Sequence, residues 1–579
     1  MSVERLIAVA RGEEPADLLL KNGRLVNVLS GEVHPARVAI ADGRVAGWGG
    51  DYRARRVVDL AGRFICPGFI DAHVHLESSM VQPAEFARAV LPHGTVAVVC
   101  DPHEIANVLG LVGVRYILDA SAGLPLAVYV MAPSCVPATH METAGATLDA
   151  ADIAQILTYD RVLGLAEMMN YPGVLFRVPS VLAKIEAAAG RPVDGHAPGL
   201  SGQDLNAYLA AGIGSDHECT DPDEAREKLR RGMHIFIREG TTARNLHSLL
   251  PLVTPANARF CHFCTDDRHP DTLLTEGHVD DIVGQAIAGG LDPVLAIRMA
   301  SINTALYFGL RQVGAVAPGY RADLLVLDDL ERVQVAQVYA AGQLVAEGGR
   351  CLLSAAEFPQ VPTQATVHLS PRQMAGDLRN LPALDLTIPA GQGPARVIGV
   401  VPGQVITEDL RMEPVIAGGQ VVADPARDLA KIAVVERHRG TGNVGLGLVK
   451  GIGLGQGAIA SSVAHDSHNV VVVGMTDADM RAAVAAIVEM GGGQVAVAGG
   501  QVRAACPLPI AGLMSDQPLE KVRDQVAALT KAAQALGSTL SDPFMTLSFL
   551  ALPVIPALKL TDMGLVDVSK FQVVPLFGE

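Results

Sequence analysis

Eight short apolar runs in the first half of the chain each give way to a polar residue able to bind a metal or move a proton. The first four span 69–76, closing on His73 and His75; 94–100, followed by Asp101 and His103; 126–131, followed by Ser134; and 162–166, followed by Glu167. The second four span 192–195, then His196; 212–215, then His217; 234–237, then Arg238 and Glu239; and 259–264, then Asp266 and Asp267. Runs of this length read as buried strands, and the segments between them read as helices. In 221–232, Asp221, Pro222, Asp223 and Glu224 open the first turn, bases fill the last and Gly232 follows, while Ser201 has the character of another N-cap. Strand and helix alternating eight times predict parallel β/α units, whose simplest closed form is a (β/α)8 TIM-like barrel. Catalytic groups in such barrels occupy the carboxyl ends of the strands, where every polar residue named above falls.

Outside this region the periodicity changes. Residues 17–28 and 36–46 alternate and turn at Asn22-Gly23 and Asp42-Gly43, which are hairpin signals, and 322–328 and 335–345 repeat the style. The flanks 1–66 and 317–365 are expected to pair into one small discontinuous β-sandwich domain around a barrel of 67–316. Residues 366–579 form a third, α/β domain, with buried strands at 431–438, 458–463 and 469–474 and helices at 477–489 and 518–536. The glycines from 440 to 457 fit neither G-x-x-x-x-G-K-[ST] nor an intact G-x-G-x-x-G with its acidic follower, so a flexible or tightly turned surface is expected there. His465-Asp466-Ser467-His468 falls between two strands. A solvated turn is the ordinary reading of such a cluster, and closure over the barrel mouth is the alternative.

A length of 579 residues calls for two or three domains, and 49% hydrophobic residues supply a large core. The net charge of −16 argues against binding nucleic-acid backbone or anionic membrane, leaving a small molecule as the partner. No signal peptide and no bilayer-spanning apolar stretch is visible, and eight scattered cysteines form no disulfide framework, so a reduced, cytoplasmic protein is expected.

His73 and His75, two positions apart on a strand, point to one face and can reach one ion. The motifs around them carry a resemblance. Pro67-Gly68-Phe69-Ile70-Asp71-Ala72-His73-Val74-His75 resembles the first-strand motif of the amidohydrolase superfamily, and 319–324 its post-barrel motif. Within it, 73–79, 101–107, 164–170, 194–198, 215–218 and 263–268, together with 435–442 and 464–468, resemble the adenine deaminase family.

That resemblance implies hydrolysis of adenine to hypoxanthine and ammonia by a metal-bridged hydroxide, and a homodimer. His73 and His75 with Asp266 would hold one divalent ion and His196 with His217 a second. Glu167 would bridge them, where many superfamily members use a modified lysine. The donor set suits Mn2+, Fe2+ and Zn2+ alike, and the resemblance points to Mn2+ or Fe2+. Asp266 would shuttle the hydroxide proton to the leaving amine, and Glu77 or His103 would protonate ring N1, with Glu77 preferred. Ser78, Asp267, His465 and His468 are candidate substrate contacts. Asp266 is favoured over Asp267 as ligand because it lies nearer the strand end.

Three other readings compete. His75-x-Glu77 and Cys261-x-x-Cys264 mimic the zinc nucleoside deaminase signature, but the cysteines lie in an apolar strand without the preceding proline and read as packing residues. Another amidohydrolase activity, such as cyclic-amide hydrolysis, would use the same metals with a different proton donor. A non-catalytic scaffold would show lost ligands, and none is missing.

Overall fold

Eight parallel strands are found where the eight apolar runs predict them: Phe69–Val74, Thr95–Cys100, Ala127–Ala132, Val162–Met168, Val193–Gly195, Ser215–Asp216, His234–Arg238 and Cys261–Cys264. The computed structural model describes residues 2–354 and 361–578, so Met1, Glu579 and the stretch 355–360 within the second predicted β flank lie outside the described residues. The first five strands form one sheet in chain order and the last three another. Backbone bonds join the two arcs. Gly214 N–H donates to the Val193 carbonyl at 2.9 Å, and on the other side Asp266 N–H donates to His73 (2.9 Å) while His75 N–H donates to Asp266 (3.0 Å).

The interior is filled by Ala72, Val99, Met131, Ala166, Phe236 and Cys264, one inward residue from each of six strands, as a small barrel requires. Both Cys261 and Cys264 are buried packing residues, as their apolar strand implies.

The β flanks pair. Strands Ala16–Asn27, Glu32–Ala41, Arg44–Trp48, Ala54–Asp59 and Phe64–Pro67 join Leu324–Asp329, Gln334–Ala340, Gln343–Glu347 and Arg350–Cys351 in one nine-stranded sheet. Leu324 to Leu327 run antiparallel to Phe64–Pro67, the strand that leads directly into the barrel. Ala16–Asn27 passes along one edge from Ala54–Asp59 to Phe64–Pro67, and the sheet closes on Leu20, Leu25, Val38, Ile40, Ile65 and Tyr339.

Beyond residue 394 an eight-stranded sheet runs in the order Thr407–Met412, Ala395–Val400, Val444–Lys450, Leu429–Val435, Val470–Gly474, Ala458–Ser461, Gly493–Ala498 and Gln501–Pro507. Alternation along its buried strands serves two neighbours. Val470 and Val472 face Met480, Ala483, Val484 and Ile487 of helix Asp477–Met490. Val471 and Val473 turn to the other face, into the cluster that holds Leu519, Val522 and Leu529 of helix Leu519–Ala535 and continues into the barrel.

The glycine-rich segment 440–457 is not the flexible surface expected of it. It contains the central strand Val444–Lys450, paired on both edges. A Cβ on Gly445 would stand 1.8 Å from the Thr561 carbonyl oxygen, so the glycine permits the C-terminal strands to close on this one. The module docks on the barrel through polar contacts too. Ser515 N–H donates to Met80 (2.8 Å), Arg88 pairs with Glu520 (2.5 Å), and Thr143 Oγ1 donates to Asp562 (2.7 Å).

Candidate metal centre

Parallel closure brings all six expected ligands to one end of the barrel. His73 and His75 Nε2 lie 3.2 Å apart and face Asp266 Oδ1 at 3.3 and 3.0 Å. Glu167 Oε1 stands 3.8 and 3.4 Å from the same nitrogens, and its Oε2 lies 2.7 Å from His196 Nδ1 and 3.4 Å from His217 Nε2. Each Glu167 oxygen therefore faces a different pair of imidazoles. His75 Nδ1 donates to the Asp101 carbonyl at 3.0 Å, which fixes the tautomer and leaves the Nε2 lone pair turned inward.

Two lone-pair nitrogens converging with ionised carboxylates make a donor set that a divalent cation fits. Burial alone would raise the Glu167 carboxyl, but the His217 charge and hydrogen bonds from His196, His217 and His75 hold it well below the usual carboxylate range. Asp266 behaves alike: against burial, His73, His75 and the Arg238 guanidinium keep it ionised. Its backbone has φ of +57°, a left-handed conformation that aspartate tolerates better than most residues and that turns the carboxylate back toward the strand ends.

The neighbouring aspartate is placed differently. Asp267 accepts a hydrogen bond from Ser78 Oγ, whereas Asp266 is the aspartate that faces His73 and His75. Glu77 is 4% exposed, accepts from Ile105 N–H at 3.0 Å through Oε1, and leaves Oε2 without a partner. Burial pushes its carboxyl up to about 7. His103 puts Nδ1 3.1 Å from Asp101 Oδ2 and 3.6 Å from Glu167 Oε1, with Nε2 3.3 Å from Glu104.

The segment 465–468 is not a solvated turn: all four residues are buried. His465 Nδ1 lies 2.6 Å from Glu104 Oε1, and His468 Nε2 bonds the other oxygen of the same carboxylate. The C-terminal module thus reaches the helix His103–Leu109, whose first turn carries His103 and Glu104. Several polar residues at the centre had no role assigned from sequence. Arg238 bonds both Glu218 and Asp266 (2.8 Å to the latter), and Asp101, Glu104 and Asp466 surround His103. For Arg238, Asp101 and Glu218 the signal was available, since each lies within two residues of the end of its strand. Asp466 is visible in sequence only as part of the 465–468 cluster, because His103, which it faces across the module boundary, is more than 300 positions away.

Comparison with known proteins agrees with this architecture. A model of the Amidohydrolase family matches residues 64–345, and one of the Adenine deaminase C-terminal domain matches 404–572. An adenine deaminase of Desulfatibacillum aliphaticivorans is 56% identical over 577 residues, covering 99% of each chain. That of Oleidesulfovibrio alaskensis is 54% identical over 100% of this chain and 99% of its own, and that of Methanothrix thermoacetophila 51% identical over 100% of both. With identity of this order sustained from end to end, the chain belongs to the adenine deaminase family within the amidohydrolase superfamily.

Proposed function

We propose that the chain hydrolyses adenine to hypoxanthine and ammonia, with His73, His75, Glu167, His196, His217 and Asp266 holding two divalent cations. The reading is carried by one observation: Glu167 turns one oxygen to the His73–His75 pair and the other to the His196–His217 pair. Family membership implies a divalent metal, and full-length identity to adenine deaminases supports the substrate. Two such cations supply Lewis acidity and bring water ionisation near neutrality; the donor set suits Mn2+, Fe2+ and Zn2+ alike, and the family resemblance favours Mn2+ or Fe2+.

The chain's own groups do the rest. Asp266, kept ionised by Arg238, takes a proton from the attacking water and passes it to the departing amino group, so that the C6–N bond breaks to release ammonia. Glu77, with a free Oε2, delivers a proton to ring N1 as oxygen adds to C6, and is restored by the second proton of that water, released when the C6 hydroxyl collapses to the carbonyl. His103 is the second choice for that step, since both of its nitrogens already face carboxylates. The cleft beside Glu77, lined by Ser78, Met80 and His269 of the barrel and Val463, Phe544 and Met545 of the C-terminal module, is the proposed approach for the purine. Walls from both regions exclude bulk water from a base that offers few atoms to bind.

The test is a panel of purines and cyclic amides on Mn2+-loaded protein, following ammonia release from the purines and ring opening of the cyclic amides by chromatography. Adenine should be turned over at least about a hundredfold better than the others, a preference of about 2.7 kcal/mol. Turnover of a cyclic amide with no ammonia from adenine would overturn the reading.

A further inference from the structure

His103 stands between two sets of acids. Its Nδ1 faces Asp101 and Glu167, while its Nε2 points away from the Glu167 centre, toward Glu104 Oε1 at 3.3 Å and Asp466 Oδ1 at 3.9 Å. All three residues are buried, and their ligand atoms lie within 4.8 Å of one another. Asp466 is the anomaly. It comes from the C-terminal module, is 2% exposed, and its Oδ2 has no hydrogen-bond partner among the described residues. The nitrogens closest to its other oxygen are His103 Nε2 at 3.9 Å and His465 Nδ1 at 4.0 Å.

Those separations are too long for hydrogen bonds and too short to hold a bridging water. They match two ligands of one ion, which at bonds of about 2.1 Å lie roughly 3–4 Å apart. The surroundings have the form of outer support. The second nitrogen of His103 faces the Asp101 carboxylate at 3.1 Å, as the outer N–H of a metal-binding imidazole commonly does. Glu104 is fixed in orientation by His465 at 2.6 Å and by His468. A buried carboxylate left without a partner is costly, and a cation removes that cost.

We propose that His103 Nε2, Glu104 Oε1 and Asp466 Oδ1 form a third divalent-cation site, separate from the Glu167 centre and shared between the barrel and the C-terminal module. One imidazole and two carboxylates select a first-row ion of the Mn2+, Fe2+ or Zn2+ class. The ion ties the module to the barrel at the rim of the active site. It also occupies the lone pair of His103 that would otherwise compete with Glu77 for proton delivery.

The experiment loads metal-free full-length protein with Mn2+, removes free ion, counts manganese per chain by mass spectrometry, and locates it in crystals by anomalous scattering. The wild type should hold three ions, with an anomalous peak between His103, Glu104 and Asp466. Asp466→Asn should hold two, both at the Glu167 centre, and lose that peak. A wild-type chain that saturates at two ions, with no peak beside Asp466, overturns the third site and leaves the deaminase reading standing. A wild-type count of three that Asp466→Asn does not lower overturns it as well. Because the crystal is read on the wild type, the result does not depend on how well the variant folds.

Discussion

Barrel strand Thr95–Cys100 and module strand Val470–Gly474 are both buried from end to end and both rich in valine, yet they deliver polar chemistry in opposite ways. In the barrel every strand runs the same way, so the polar residues that follow the eight strands arrive at one rim, and six of them, from five strands, lie together. In the module the strands are mostly antiparallel, so the polar residue after one strand lies at the opposite edge from that after its neighbour. Its charged contribution beside His103 is the connection 465–468, which meets the barrel at Glu104. Parallel topology concentrates function at an edge, whereas antiparallel topology lends it one loop at a time.

The widest split between the two regions should come from Glu167→Gln, which keeps the shape and removes the charge facing both histidine pairs. Activity should fall on the order of 10³-fold or more and metal content at the barrel centre should drop, with circular dichroism unchanged. Near-normal turnover with both ions bound would remove the bridging role. Next comes Glu77→Gln, expected to lower kcat about 10²-fold while both ions remain. If metal is lost instead, Glu77 belongs among the ligands, and an unchanged kcat would pass proton delivery to His103.

A third change tests whether the module matters to chemistry at all. His468→Ala frees one oxygen of Glu104 and should reduce kcat/KM about tenfold, the scale of losing an outer support of a site residue, with the His73–Glu167–His217 ions retained. Kinetics equal to wild type would make the module a mere cover. The smallest effect is expected from Glu520→Ala at the docking surface, which leaves Arg88 its buried partner Glu85. Arg88 and Glu520 are 28% and 46% exposed, so solvent screening limits the loss to under about 1 kcal/mol in a denaturation experiment, with kcat unaltered.

The same contrast explains what could be read before any coordinates. The barrel was legible because each apolar run and its terminal polar residue are adjacent in the chain, and the choice of Asp266 over Asp267 followed from distance to the strand end. The strand Val444–Lys450 was hidden because Gly445 and Gly447 read as turn residues, while Gly445 in fact admits a neighbouring backbone that lies over 100 positions downstream. The burial of His465 to His468 was equally invisible. Polar residues between strands are ordinarily wet, and only the carboxylate of Glu104, 361 positions from His465, makes that environment dry.

The bond pair that joins the last barrel strand to the first also joins Asp266 to His73 and His75. Just beneath it, Asp71 accepts from both the N–H and the hydroxyl of Thr265, 194 positions away. A ribosome making this chain therefore releases the two histidines long before the residue that completes their site. Until Asp266 emerges and the ring shuts, His73 and His75 have no fixed carboxylate opposite them, and a nascent chain can hold metal only weakly. Ring closure and the meeting of Asp266 with His73 and His75 are therefore one late step.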